Sequence, residues 1–112
     1  METIIFEIIL HAGNARAEAY AALQAAQAGD FTAARENLKQ AEAEIGIAHR
    51  TQADLIQQEA RGDHVQVSLL LVHAQDHLMT AMSEKNLIEH MVEMHKTIAR
   101  LTQKQEASSC AD

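Results

Sequence analysis

Apolar residues recur along this chain at intervals of three and four, the spacing of one helix face, and two glycine breaks cut the pattern into three blocks. The first block predicts a helix over about 2–28, with a seam at Ile5, Ile8, Ala12, Ala15, Ala19, Ala22 and Ala26. Its small residues let a neighbouring helix come close, and Gly13 inside it has close packing as its usual explanation. At Ala28-Gly29-Asp30-Phe31 the glycine reads as a helix stop and the aspartate as the N-cap of the next helix. That second helix is predicted over 31–61, with Ala34, Leu38, Ala41, Ile45, Ala48, Gln52 and Leu55 in register. After the break at Arg61-Gly62-Asp63-His64, a third and longest helix is predicted over 66–103. Its seam is Leu71, Ala74, Leu78, Ala81, Ile88, Val92 and Ala99, interrupted by Lys85 and His95.

Short connections force consecutive helices to run antiparallel, so the expected fold is all-α, an antiparallel three-helix bundle. Residues 1–104 form its single domain, and the polar, small-residue tail 105–112 is expected to be disordered. The third helix carries apolar residues on a second face as well, the line Leu69, Val72 and Met79. Leu87, Met91, Met94, Ile98 and Leu101 thicken the main seam toward the C-terminus. One face serves the chain's own core; the other implies a partner, most simply identical subunits.

Composition narrows the function. Nine basic residues against sixteen acidic ones give a formal charge of −7, with no basic cluster and three aromatics, which argues against nucleic-acid binding. The lone Cys110 excludes an intramolecular disulfide and fits a reducing cytoplasm. The N-terminal apolar run Ile4–Leu10 follows Glu2 rather than a basic residue and is too short to span a bilayer, so a soluble protein is expected. No phosphate-cradling glycine loop and no Gly-x-Ser-x-Gly elbow is present, so neither a nucleotide nor an organic cofactor is expected.

The chemistry concentrates in Leu70-Leu71-Val72-His73-Ala74-Gln75-Asp76-His77-Leu78-Met79-Thr80. At about 100° per residue, His73 and His77 share one helix face, while Asp76 falls in line with Leu69, Val72 and Met79. A carboxylate on an apolar stripe is costly to bury without compensation. His73 and His77, one turn apart, are a candidate pair of zinc ligands, but His-Glu-x-x-His is absent and no histidine has a glutamate three residues before it. The other chemistry open to His73 is nucleophilic: a neutral imidazole nitrogen attacks a phosphoryl group and holds it as a labile phosphoramidate. Gln75 and His77 then supply support. Gln52, interrupting its seam with His49 three residues before it, reads either as half of a core-edge polar pair or as support for a site on another helix.

The octapeptide His73–Thr80 resembles the active-site signature of the enzyme IIA component of the lactose/cellobiose (N,N'-diacetylchitobiose) type of bacterial sugar phosphotransferase system. Gly13-Asn14-Ala15-Arg16, Gly29-Asp30-Phe31, Ala48-His49, Gln52 and Leu55-Ile56 agree in order and spacing, and the likeness runs from about residue 2 to residue 104. Val72 and Ala74 look more like the cellobiose/chitobiose branch than the lactose branch. The resemblance implies a homotrimer of three-helix subunits in the cytoplasm. It implies that His73 accepts a phosphoryl group from HPr on Nε2 and passes it to a cysteine of a IIB component, with a functional link to a membrane IIC component. It implies that Asp76 from each subunit meets at the threefold axis, where a divalent metal such as magnesium binds. Two other readings stand beside it: a metal-binding helical bundle using His73, Asp76 and His77 directly, and an oligomerisation module without chemistry.

Overall fold

A computed structural model describes the backbone of residues 1–110 and the side chains of residues 1–108. Three helices account for nearly all of it: α1 (Glu2–Gln27), α2 (Phe31–Ala60) and α3 (Leu69–Cys110), and no strand forms among the described residues. The glycine breaks act as the sequence implies. Gly29 and Gly62 both take positive φ, 83° and 92°, a left-handed conformation that glycine adopts without penalty. The Asp30 side chain accepts a hydrogen bond from the Ala33 amide at 3.0 Å and caps α2.

Both ends of α3 differ from expectation. It starts at Leu69 rather than Gln66, because Ser68 is the cap: its Oγ accepts from the Leu71 amide at 3.1 Å. Val65, just upstream, is buried instead as an anchor for the connection. At the other end α3 passes Gln103 and runs to Cys110, so residues 105–110, expected to be disordered, are helical. Gln105, Glu106 and Ala107 are good helix formers, and neither glycine nor proline follows Gly62 to stop the helix. Residues 111–112 of the expected tail lie outside the described residues.

The buried residues of α1 are Ile5, Ile8, Ala12, Ala15, Ala19, Ala22 and Ala26, the heptad seam without addition or loss. One cluster joins the first half of α1 to Ala48 and Leu55 of α2 and to Leu71, Ala74, Leu78 and Ala81 of α3. A second joins Ala19, Ala22 and Ala26 to Ala34 and Ala41 and to Ile88 and Val92. The pairing fixes the directions: α2 runs against α1 and α3. Ile8 and Leu78 are the largest side chains that are completely buried; alanine fills most of the rest, so the helices pack closely around a thin core.

Gly13 departs from its expected role. A Cβ added there meets nothing within 4 Å, so packing inside this chain does not require the glycine. Lys85, the seam's interruption, is only 7% exposed, and its ammonium is paired with Glu42 of α2 and, at 2.7 Å, with Glu89 one turn on. The molecule is 72 Å long and about 20 Å across because α3 outruns its neighbours. No helix among the described residues is long and apolar enough to cross a membrane.

Candidate functional site

The first turns of α3 display the polar residues of the octapeptide on three different sides. Leu71, Ala74 and Leu78 anchor the segment in the core and set its rotation. That rotation leaves His73 and Asp76 exposed and Gln75 and His77 half-buried.

His73 and His77, one turn apart, form an edge-to-face pair with ring centroids 5.5 Å apart and planes at 85°. Among the described residues, His77 Nδ1 is the one buried side-chain nitrogen or oxygen without a hydrogen-bond partner. A buried N–H without an acceptor costs more than a bare lone pair. Of the two neutral tautomers, the favoured one therefore keeps Nδ1 bare and the proton on Nε2. His77 thus offers an Nε2–H donor next to the exposed His73 ring, an arrangement suited to holding an anion formed on His73.

Gln75 lies about 200° around the helix from His73 and faces α2 instead. Its Oε1 accepts a hydrogen bond from Nε2 of Gln52. The same Gln52 nitrogen lies 3.9 Å from the Met79 sulfur. Gln52 is thus the half-buried, hydrogen-bonded core-edge residue of the first reading, with Gln75 of α3 as its partner rather than His49, which is exposed. Sequence pattern alone gave no sign of its partner, since a seam position tells which neighbour a residue faces but not which atom it reaches.

Asp76 stands between Val72 and Met79, which are 51% and 53% exposed, with Leu69 one turn further at 86%. Leu87, Met91, Met94, Ile98 and Leu101, expected to thicken the buried seam, are exposed instead and continue this stripe along α3, about half a turn away from the seam. Within a single chain the carboxylate is in water, and its burial becomes costly only when something covers the stripe. No three His, Cys, Asp or Glu side chains among the described residues come together as a metal site, which removes support from the reading of the chain as a metal-binding bundle. The remaining histidines fall where a solvated or core-edge role puts them. His64 and His90 are exposed, His95 is half-buried, and His11 Nδ1 meets Glu44 Oε2 at 2.5 Å across α1 and α2. Two ion pairs invisible to the sequence pattern fix α3 against its neighbours, Arg16 with Glu84 at 2.7 Å and Lys85 with Glu42.

Comparison with known proteins places this geometry. The model of the family described as "PTS system, Lactose/Cellobiose specific IIA subunit" matches residues 3–96. The lichenan-specific phosphotransferase enzyme IIA component of Bacillus subtilis (strain 168) is 48% identical over 98 residues, covering 88% of this chain and 89% of that protein. The crystal structure of the cellobiose-specific enzyme IIA from Bacillus anthracis superposes with a TM-score of 0.86 at 43% identity, covering 88% of this chain and 91% of that one. The IIA(chitobiose) of Escherichia coli, solved in complex with HPr, superposes with a TM-score of 0.77 at 41% identity, covering 88% and 95%. The chain with His73, Asp76 and His77 on the opening turns of its longest helix belongs to the lactose/cellobiose-specific IIA family of the phosphoenolpyruvate-dependent sugar phosphotransferase system.

Proposed function

We propose that this protein is a cytoplasmic phosphocarrier that takes a phosphoryl group from HPr on Nε2 of His73 and delivers it to a cysteine of a cognate IIB component. The observation that carries this reading is the exposed His73 ring, fixed edge-on to His77 on a helix whose opposite side is locked in the core. In the acceptance step, the Nε2 lone pair attacks phosphorus while the bond from phosphorus to HPr breaks and HPr keeps that electron pair. In the delivery step, the IIB thiolate attacks, the nitrogen–phosphorus bond breaks, and His73 recovers its lone pair. The His77 Nε2–H donates to the phosphoryl oxygens, and Gln75 supports them from a neighbouring subunit.

The working form is a homotrimer packed through the apolar stripe of α3. Three Asp76 carboxylates then meet in an apolar interface, where they repel unless a cation joins them. Their oxygen donors suit a hard divalent ion such as magnesium, which would neutralise the cluster and take no part in phosphoryl transfer. The chain cooperates with a membrane IIC component in uptake of a β-linked disaccharide. Val72 and Ala74 favour cellobiose or chitobiose over lactose.

Incubation with phosphoenolpyruvate, enzyme I and HPr should load one acid-labile phosphoryl group per chain, mapped to His73 by mass spectrometry. A His73→Ala chain that still accepts it overturns the assignment.

A further inference from the structure

Gln52 on α2 reaches two residues of the octapeptide through its amide nitrogen, Met79 and, by a hydrogen bond, Gln75. The direction of that bond has chemical content. A glutamine amide is two-sided, a carbonyl that accepts and an NH2 that donates, and nothing in its shape decides which side faces where. Met79 favours one side for Gln52. A thioether sulfur has no proton to give, so the group that best faces it at 3.9 Å is the Gln52 NH2, not the Gln52 carbonyl. Reversing the Gln52 amide would set oxygen against sulfur, two acceptors with no donor between them. With its NH2 thus committed, Gln52 gives its other N–H to Gln75 Oε1. That fixes the Gln75 amide in turn: its carbonyl is occupied on the α2 side, and its two Nε2–H donors remain on the other.

We infer that Gln52 is a positioning residue for phosphoryl transfer, setting Gln75 so that it presents N–H donors, rather than a carbonyl, to the phosphoryl oxygens. The inference rests on the phosphocarrier reading above. Residues two apart on a helix do not face each other, so the inference rests also on the trimer proposed above, in which Gln75 meets the phosphorylated His73 of an adjacent copy. A carbonyl in the same place would repel the phosphoryl dianion. Met79 sets Gln52, Gln52 sets Gln75, and Gln75 meets the phosphate.

Substitutions that alter donor polarity at position 52 test the idea, with transfer from phosphorylated HPr measured under single-turnover conditions. Gln52→Lys can only donate, so Gln75 stays as it is and transfer stays within a few-fold of wild type. Gln52→Leu frees the Gln75 amide to turn, and transfer falls by about tenfold. Gln52→Glu accepts from Gln75 and turns its carbonyl outward, for a loss of about a hundredfold. The KM for phosphorylated HPr and the oligomeric state should be unchanged in all three. A merely structural role would instead order the variants by their melting temperatures. If Lys does not exceed Leu, the inference is overturned, and this comparison decides even if the Glu variant fails to fold. If wild type loads His73 but Lys, Leu and Glu transfer alike, only the positioning role falls. If wild type takes up no phosphoryl group, the phosphocarrier reading falls and takes this inference with it.

Discussion

The imidazole rings of His73 and His77 stand edge to face, 5.5 Å apart, and the inner nitrogen of His77 is buried without a partner. A polar atom in that state opposes folding, so its presence asks for a return in function. Replacing the ring by an apolar one of similar size separates the two. His77→Phe should leave thermal stability unchanged or raise it by about 1 kcal/mol, since an unsatisfied nitrogen becomes carbon. Transfer to and from His73 should fall by about a hundredfold as the Nε2–H donor is lost. Thermal unfolding followed by circular dichroism and rapid-quench transfer from phosphorylated HPr measure the two effects on the same sample.

Asp76 on its stripe gives a prediction of opposite sign for assembly. If three copies of this carboxylate meet in the trimer, Asp76→Leu exchanges a like-charge cluster for apolar packing. The trimer should then be as stable as wild type or more so, by about 1–4 kcal/mol. Divalent-metal binding should disappear while His73 still accepts phosphate. Sedimentation, denaturation and metal titration check all three, and marked dissociation of the variant contradicts the axial placement.

These two residues also show where the sequence spoke and where it was silent. The α1 seam was legible residue by residue, because a helix with one buried face repeats its apolar residues at fixed intervals and alanine marks the close approaches. The pairing of His73 with His77 followed from their spacing of four. Contacts between helices were not legible. The bonds from Gln52 to Gln75, from Lys85 to Glu42 and from Arg16 to Glu84 depend on side chains reaching across a gap whose register no local pattern reports. The C-terminal end of α3 was not legible either, because a polar stretch of good helix formers looks like a tail until it is attached to a helix already nucleated.

Lys85 tests how a charge survives at a seam position. Burial works against its ammonium, but the hydrogen bonds and charges of Glu42 and Glu89 outweigh that penalty and hold its pKa above the usual lysine value. A pKa raised on folding stabilises the native state below the unfolded value and ceases to do so as pH rises through the folded one. Wild type should therefore lose stability on going above about pH 10, and Lys85→Met should lose less over the same range. At neutral pH the Met variant should lie within about 1 kcal/mol of wild type, because both glutamates are exposed enough to be hydrated without the lysine. Chemical denaturation at pH 7 and pH 11 supplies the comparison.

The alanine seam of α1 makes the strictest demand on the fold. Ala19 is fully buried in the cluster with Ala22, Ala34, Ala41, Ile88 and Val92, whereas Ala17, two residues earlier, is exposed on the same helix. Leucine and alanine differ little in helix propensity, so Ala→Leu at the two positions changes volume and little else. At Ala17 the added side chain has room, and stability should shift by no more than about 0.5 kcal/mol. At Ala19 it meets three helices already in contact. They must separate or distort, at a cost of about 1–3 kcal/mol, measurable as a lower denaturation midpoint. Equal effects at the two sites would mean that the helices tolerate larger spacing, and that alanine was not chosen for closeness. The difference bears on function as well. α3 contributes Ile88 and Val92 to this cluster and Leu78, beside His77, to the neighbouring one, so a bundle forced apart at Ala19 shifts the helix that carries His73. Ala19→Leu should therefore slow phosphoryl transfer in a way that Ala17→Leu does not.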